Sequence, residues 1–319
     1  MADAASTILV TGGTTGLGFY AASTLASQFR ASTIIIASRK DTGSVAAAIQ
    51  KATGHRHVRF VPLDLGSQDN IRAFVNHLEQ EQYAPISMLL LNAGIQVPEG
   101  VKYTSDGIEA TFGVNHVGHA LLFHLLQPHL AAEARIVVTA SDGHDPARKT
   151  GLPDAHYTTA ERLAHPAGEA LKDPGTQRYT TSKLCNVLWT YALFRRLGAS
   201  PARQWTIVAF DPGMMPGTGL AREYPAFVRF LWSYILPRVV GILRILVSKN
   251  VHLPQESGAN LAWVAGQDTT TSGVYYEGRK QIESSVESYD TAKQDDLWKW
   301  TVKTLASNAD ELKEFDMAV

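Results

Sequence analysis

Residues 11–18 read TGGTTGLG and directly follow the apolar run STILV at residues 6–10. A helical pattern begins at about Leu17, so the glycines lie between a predicted strand and a predicted helix. There, glycine lets the backbone turn tightly and approach a bound group, and the helix N-terminus favours a phosphate. A turn without a ligand is the alternative, and a P-loop is excluded because no Gly-Lys-Ser/Thr follows. The dinucleotide site predicted here comprises Gly12, Thr14, Thr15, Gly16, Leu17 and Gly18.

The rest of the chain alternates short β-branched runs with longer helical patterns. Further strands are predicted at STIIIAS, HVRFVPLD, SMLLLNAG, RIVVTAS and WTIVAFDPG. Such apolar strands indicate a parallel sheet covered by helices on both faces. The fold class expected is therefore α/β, a single-domain Rossmann fold with a doubly wound sheet and a substrate lid insertion.

One domain is expected over residues 1–319, because no repeat or low-complexity linker divides the chain. Its cofactor-binding half would span about 6–140 and its catalytic and substrate half about 141–285. A long helix is predicted through VNHVGHALLFHLLQPHL, and SGVYYEG is predicted to be the final edge strand. A C-terminal helix at about 290–307 is expected to bury part of its surface, through Leu297, Trp298 and Val302.

Composition restricts the class of partner. The chain is 45% hydrophobic and 18% charged with a formal net charge of −1, so no nucleic-acid partner is expected. Cys185 is the single cysteine, which excludes an internal disulfide and suits a reducing compartment. The start MADAASTILV lacks a basic region and a long apolar run, so no signal peptide or N-terminal anchor is expected. These features predict a cytoplasmic protein.

The second strand ends in Ser38, Arg39 and Lys40. A site that prefers NAD usually carries an acidic residue here to hold the ribose 2′-hydroxyl. A hydroxyl and two cations suit a 2′-phosphate instead, because guanidinium binds phosphate well. The sequence therefore predicts NADP(H) as cofactor, with a solvated strand end as the alternative.

Tyr179 and Lys183 start a predicted helix four residues apart, so their side chains share one face. A phenol with a pKa of about 10 is a poor acid–base catalyst at neutral pH unless a nearby cation favours the phenolate. The spacing is common by chance, and it becomes informative after a nucleotide-binding pattern.

Taken together, these motifs resemble the short-chain dehydrogenase/reductase family over about residues 6–220. The resemblance implies that Tyr179 exchanges the proton, Lys183 binds the nicotinamide ribose, Ser141 holds the substrate oxygen and Asn115 helps hold a water. It also implies that Thr218 contacts the carboxamide. The remaining cofactor contacts it implies are Asp64, Leu65, Asn92, Ala93, Gly94, Pro212 and Gly213. For Asp64, capping the next helix is the alternative.

Two plainer interpretations accompany these assignments. His116, His119 and His124 recur at helical spacing, but no carboxylate or cysteine joins them, so packing roles are expected and no metal site is predicted. Cys185 is interpreted as a small buried apolar residue.

Within the family, GVNHVGH, the long insertion after Ser141, SKLCNVL and GTGL are most similar to the retinol dehydrogenase and protochlorophyllide reductase branch. That resemblance implies a large apolar substrate. Met214 stands where protochlorophyllide reductases carry a cysteine, so light-driven pigment reduction is not expected. The predicted substrate pocket is Met214, Phe227, Phe230, Trp232 and Tyr234.

The stretch 226–247, AFVRFLWSYILPRVVGILRILV, has two interpretations. It is predicted to be a lid over the substrate, and peripheral contact with a membrane surface is the less favoured alternative, because Pro237 interrupts a helix and no clean amphipathic face results.

The expected activity is NADPH-dependent reduction of a carbonyl in a bulky, largely apolar substrate of retinoid-like or polyketide type. The alternatives are a non-catalytic NADP(H)-binding sensor or scaffold and a C=C reductase on the same fold. The apolar helix faces permit a homo-oligomer without requiring one.

Overall fold

The structure is a computed structural model that describes residues 6–197, 203–267 and 270–316. The stretch MADAA, considered above for targeting, lies outside the described residues. The strands are β1 (Thr7–Thr11), β2 (Thr33–Ser38), β3 (Val58–Pro62), β4 (Ile86–Leu91), β5 (Leu130–Thr139), β6 (Thr206–Asp211), β7 (Val274–Glu277) and β8 (Lys280–Ile282).

The α-helices are α1 (Gly16–Gln28), α2 (Val45–Thr53), α3 (Gln68–Gln80), α4 (Ala110–Phe112), α5 (Gly118–Leu126), α6 (Ala160–Ala164), α7 (Gly175–Leu197), α8 (Ala226–Phe230), α9 (Val240–Leu246), α10 (Pro254–Ala265), α11 (Thr291–Leu305) and α12 (Ala309–Asp316). Wider π-helical turns occupy Gly113–Val117 and Leu231–Ile235. Short 3₁₀ turns occupy Gln127–His129, Asp142–His144, Pro146–Arg148, Gly168–Lys172, Gly219–Glu223, Leu236–Val239 and Val286–Tyr289.

The eight strands form one sheet in the order β3-β2-β1-β4-β5-β6-β7-β8. Strands β1 to β7 are parallel, and β8 alone runs antiparallel, against β7. The order reverses between β1 and β4, which creates a crevice beyond the carboxyl ends of these strands. The predicted α/β Rossmann fold is confirmed.

The core lies on both faces of this sheet because successive strand residues point in opposite directions. Leu9 packs in a cluster with α3, α5, α7 and α11, whereas its neighbours Ile8 and Val10 pack in a second cluster with α1 and α10. All three side chains are fully buried, as expected for a central parallel strand.

Two local predictions need correction. The stretch SGVYYEG is not the sheet edge, because the chain turns at Gly278 with a φ of +57° and returns as β8. The long predicted helix does not continue through QPHL: α5 ends at Leu126, a 3₁₀ turn contains Pro128, and β5 already begins at Leu130. Proline lacks the N–H that an α-helix needs at this position.

The predicted C-terminal helix is confirmed as α11. Leu297, Trp298 and Val302 are buried on its inner face, more completely than the sequence pattern required. A further helix, α12, follows it and buries Phe315.

Candidate active site

The glycine turn between β1 and α1 is too tight for larger residues. Gly12 and Gly16 have φ values of +67° and +53°, which L side chains rarely adopt. A Cβ atom on Gly18 would lie 2.4 Å from the carbonyl oxygen of Gly12. The N-cap residue Thr15 makes no side-chain hydrogen bond to the helix, so the first N–H groups of α1 are not capped by it. This end of α1 therefore suits an anion.

A cavity of about 600 Å³ opens beside this turn, across the carboxyl ends of β1, β2, β4, β5 and β6. Every predicted cofactor residue except Gly213 lines it. They are Gly12, Thr14, Thr15, Gly16, Leu17, Gly18, Ser38, Arg39, Lys40, Asp64, Leu65, Asn92, Ala93, Gly94, Tyr179, Lys183, Pro212 and Thr218. Gly213 instead packs against Asn250, with a φ of +74°.

The loop after β4 is held against the glycine turn by Thr11. Its hydroxyl accepts hydrogen bonds from the N–H groups of Asn92 at 2.8 Å and Ala93 at 3.0 Å. The same hydroxyl contacts Nε2 of His119 at 2.9 Å. His119 thus fixes one wall of the cavity, a packing role that its helical spacing did not specify.

Asp64 does not cap the helix that follows it. Its Oδ1 accepts from the N–H of Gly66 at 2.9 Å, whereas Ser67 is the N-cap of α3 and accepts from Asn70. The side chain therefore holds its own loop closed at the rim of the cavity.

Tyr179 and Lys183 lie on one face of α7, as the spacing predicted, and both line the cavity. The ammonium is 5.8 Å from the centre of the Tyr179 ring and donates a 2.9 Å hydrogen bond to the carbonyl of Thr139, at the end of β5. Asn186, one turn further along α7, donates to the same carbonyl at 3.0 Å. Burial lowers the pKa of Lys183 to about 8.

Asn115 lies in the π-helical turn Gly113–Val117, where the wider turn interrupts the α-helix. Its Oδ1 accepts from the N–H of Ile95 at 2.8 Å, and its Nδ2 donates to the carbonyl of Ile95 and to Ser182 Oγ, both at 3.0 Å. A Cβ atom on Gly94 would lie 3.4 Å from Asn115 Oδ1 and 3.7 Å from Lys183 Nζ. Asn115 and Lys183 therefore both lie beside the backbone at Gly94.

Ser141 follows β5 directly, and its Oγ accepts from the N–H of Gly143 at 3.2 Å. Burial raises the pKa of the Tyr179 phenol and the carboxylates of Asp142 and Asp211 raise it further, whereas the nearby hydroxyl of Ser141 lowers it, so the net shift is upward. The phenol is therefore held in its protonated form, the form that can donate to a substrate oxygen.

Asp211 ends β6 and is fully buried. Its Oδ1 accepts from the N–H of Gly213 at 2.9 Å, and its Oδ2 accepts from Nδ2 of Asn250 at 2.7 Å. The same Asn250 nitrogen is 3.3 Å from Oδ2 of Asp142. Burial raises the pKa of Asp211, and the neighbouring charge of Asp142 raises it further. Two carboxyl groups thus act electrostatically on Tyr179.

Cations collect at the far end of the cavity, where Arg39 and Lys40 leave β2. Arg222, from the 3₁₀ turn Gly219–Glu223, lines the same end. Burial lowers the pKa of Arg222, and repulsion from Arg39 lowers it further. Two guanidinium groups that repel one another beside a cavity form a natural site for an anion.

The predicted substrate residues are distributed differently. Phe230 and Tyr234 line a smaller cavity of about 370 Å³, which shares Thr218, Gly219 and Arg222 with the larger one. Phe227 is 71% exposed, and the indole of Trp232 donates to the Thr218 carbonyl at 3.1 Å. Met214 forms a parallel bridge with Val251, and its neighbour Met215 faces the larger cavity.

The three helical histidines contact different partners. His116 bonds Thr301 at 3.1 Å, His119 bonds Thr11, and the ring of His124 stacks on Phe315. These contacts support the packing roles. Cys185 is fully buried in the core, as expected, and burial raises the pKa of its thiol.

Arg222, Asp211 and Asn250 were missed from the sequence. Asp211 could have been noticed, because it is an acidic residue at a strand end directly before Pro212 and Gly213. Arg222 lies in a five-residue 3₁₀ turn and Asn250 in a loop, so neither offered a periodic signal.

The fold and the site together define a dinucleotide-binding oxidoreductase of the doubly wound α/β class. A sequence model of the family described as "short chain dehydrogenase" matches residues 6–152. The chain is 30% identical to a protochlorophyllide reductase of Avena sativa, over 93% of this chain and 98% of that protein. It is 32% identical to retinol dehydrogenase 13 of Homo sapiens, over 97% of this chain and 87% of that protein. The chain belongs to the short-chain dehydrogenase/reductase family.

Solved structures agree with this fold. Levodione reductase superimposes with a TM-score of 0.61 at 18% identity, covering 85% of this chain and 94% of the other. A 3-oxoacyl-[acyl-carrier protein] reductase from Brucella melitensis in complex with NAD gives 0.59 at 19% identity, with the same coverage. A nicotinamide dinucleotide, the cofactor of the family, fits the chain, because the glycine turn leaves no room for a Cβ atom at Gly18 and the uncapped start of α1 faces the cavity.

Proposed function

We propose that the protein is an NADPH-dependent reductase of a carbonyl group in a bulky, largely apolar substrate. The observation that carries this proposal is one cavity with Tyr179 and Lys183 at one end and Arg39, Lys40 and Arg222 at the other. The acid–base pair of Tyr179 and Lys183 and the group of cations thus lie at opposite ends of one crevice, as the two ends of a dinucleotide require.

The preference for NADPH rests on the cationic end. Arg39 and Arg222 approach closely enough for repulsion to lower the pKa of Arg222, and a 2′-phosphate would relieve that repulsion. Ser38 adds a hydroxyl at the same end. The residue that follows Ser38 is a cation and not an acid, and Asp64, the acidic residue among the described residues that line the cavity, accepts from the N–H of Gly66 in its own loop.

NADPH, when bound, supplies the hydride. The chain's own residues supply the proton and the orientation. Tyr179 donates from its phenol to the carbonyl oxygen, and the nearby hydroxyl of Ser141, which lowers the pKa of that phenol, holds the same oxygen. Lys183 carries a positive charge beside the ring, which stabilises the phenolate left after the proton is given.

Apolar walls support a bulky apolar substrate. Ile95, Val114, Met215 and Leu220 line the larger cavity, and Phe230 lines the smaller one beside it. Relatives of the chain are named for retinol and protochlorophyllide, which are both large and apolar. A retinoid-like or polyketide-type carbonyl compound of secondary metabolism fits the same description.

The test is consumption of NADPH by purified protein against a panel of bulky ketones, aldehydes and enones, with NADH in parallel. Tyr179→Phe should abolish turnover while NADPH still binds, and Tyr103→Phe, at a tyrosine that is 49% exposed, should remain active. Alcohol products support the proposal, and saturated ketones from enones would support C=C reduction instead. Tight NADPH binding without turnover across the panel would favour the non-catalytic sensor.

A further inference from the structure

The segment Ala226–Leu246, here the apolar segment, is unusual in its exposure. Of the residues that the structure describes, it forms the single helical stretch long and apolar enough to cross a membrane. Within its most apolar 18 residues, however, only 6% are buried. The core helix of a soluble protein can be equally long and apolar, but it would be mostly buried. A signal sequence can be so too, but it would lie near the N-terminus, so the apolar segment is neither of these. Its exposed side chains include Phe227, Phe230, Tyr234, Ile242, Ile245 and Leu246.

The apolar segment has an inner side that fixes it to the protein. The carbonyl of Trp232 accepts from the N–H of Gly217 at 2.8 Å, and its indole donates to Thr218. Val240 is buried, and Arg244 donates to the carbonyl of Val251 at 2.7 Å. The outer side chains therefore project from a fixed surface.

The ends of the apolar segment cannot lie on opposite sides of a bilayer. The N–H of Met214 donates to the carbonyl of Asn250 at 2.8 Å, and the N–H of His252 donates to the carbonyl of Met214 at 2.9 Å. These bonds join the chain before and after the segment at one place. The segment can therefore lie in the interface of a membrane, and it cannot span one.

Charge distinguishes the partner that this surface fits. No acidic residue occurs between Glu223 and Glu256, whereas the same stretch contains four cations. Arg244 is paired with Glu256. The other three, Arg229, Arg238 and Lys249, are exposed and make no ion pair within the described part of the chain. Exposed cations beside exposed apolar side chains suit a bilayer with anionic headgroups.

A second copy of the chain fits this surface less well. Two identical subunits usually meet through the same patch on each, so Arg229 and Arg238 of one copy would meet the cations of the other. Anionic lipid neutralises these charges, whereas a symmetric dimer brings them together.

We propose that the apolar segment docks the protein onto the surface of an anionic membrane, without crossing it. The smaller cavity, lined by Phe230 and Tyr234, then lies at the lipid boundary and adjoins the larger cavity through Thr218 and Gly219. This inference does not depend on the choice of cofactor or on turnover.

The test is flotation of the purified protein with phosphatidylcholine vesicles and with phosphatidylcholine/phosphatidylglycerol vesicles. The wild-type protein should float with the anionic vesicles, and salt at about 0.5 M should weaken the binding. The double variant Ile245→Glu/Leu246→Glu should reduce the bound fraction at least about tenfold, because it places two charges in the apolar layer. Arg238→Glu should reduce binding to the anionic vesicles and should leave any binding to the phosphatidylcholine vesicles unchanged.

Val286→Glu is the matched control, because Val286 is 91% exposed and lies outside the apolar segment. It should float like the wild type, and all variants should keep the wild-type thermal midpoint and NADPH affinity. Failure of the wild type to float with either vesicle, or equal flotation of the double variant, would overturn the proposal. A lipid-free dimer that the double variant abolishes, without vesicle binding, would assign the surface to a second copy instead.

Discussion

Nδ2 of Asn250 donates a 2.7 Å hydrogen bond to Oδ2 of Asp211, a fully buried carboxyl group that acts on both Tyr179 and Lys183. The charge of Asp211 raises the pKa of the phenol and raises the pKa of the ammonium. The charge of Asp211 therefore lets Tyr179 stay protonated and Lys183 stay positively charged up to a higher pH, and carbonyl reduction requires both forms.

Asp211→Asn removes that charge, so the pKa of Tyr179 and that of Lys183 should both fall. The alkaline limb of kcat/KM for carbonyl reduction should move to lower pH by about 1 unit. The measurement is the pH–rate profile with NADPH. Asp154→Asn, at an exposed position, is the control and should leave the limb in place. An unshifted limb in Asp211→Asn would show that this carboxyl group does not influence the donor.

Arg222 and Arg39 should together determine preference between the two cofactors. Removing Arg222 takes away one cation from a 2′-phosphate, so Arg222→Ala should raise the Kd for NADPH about tenfold and leave the Kd for NADH within about twofold. Isothermal titration calorimetry with each cofactor measures both values. Arg39→Ala should act in the same direction.

Arg229→Ala is the control for that experiment, because Arg229 lines the smaller cavity and is absent from the lining of the larger one. Its affinities for both cofactors should match those of the wild type. Equal weakening of NADPH and NADH by Arg222→Ala, or an unchanged preference in Arg39→Ala, would refute the assignment.

Gly18 should tolerate no side chain. A Cβ atom there would approach the backbone oxygen of Gly12 to 2.4 Å and Asn92 Nδ2 to 2.7 Å, and the turn has no room to retreat. Gly18→Ala should lower the free energy of unfolding by about 1–3 kcal/mol and weaken NADPH binding. Urea denaturation measures the first effect. Gly43→Ala, whose Cβ would meet its nearest atom at 3.8 Å, should change little; comparable losses in both variants would contradict this account.

The parts of the site that the sequence predicted are those set by short-range geometry. Tyr179 and Lys183 share a face because four residues make about one helical turn. The glycines lie between β1 and α1 because a tight turn from a strand into a helix needs residues without a side chain. Residues at the ends of parallel strands, such as Asn92 and Ser141, come together because those ends meet at one edge of the sheet.

The parts that escaped prediction depend on contacts between distant segments or on small changes of helical pitch. Asn250 reaches Asp211 across 39 residues through a bridge between loops. The π turn Gly113–Val117 keeps the apolar pattern of an α-helix, so periodicity does not show it. Strand β8 has three residues, too few for an alternating pattern.

His124 should make the fold sensitive to acid. Burial lowers its pKa to about 3 in the folded protein, against about 6.5 in the unfolded chain. Below pH 6.5 the unfolded chain takes up a proton that the folded protein does not, so stability is lost as the pH falls from 6.5 towards 3. At pH 5 this loss amounts to about 2 kcal/mol for one histidine.

Replacing His124 should remove that share of the acid sensitivity while weakening the fold at neutral pH, because the ring stacks on Phe315 with centroids 4.7 Å apart. In urea denaturation of His124→Asn, the stability lost between pH 7 and pH 5 should be about 2 kcal/mol smaller than in the wild type. His77→Asn, at an exposed position, should keep the wild-type dependence. If His124→Asn lost as much stability as the wild type over this range, the buried ring would not be a source of acid sensitivity.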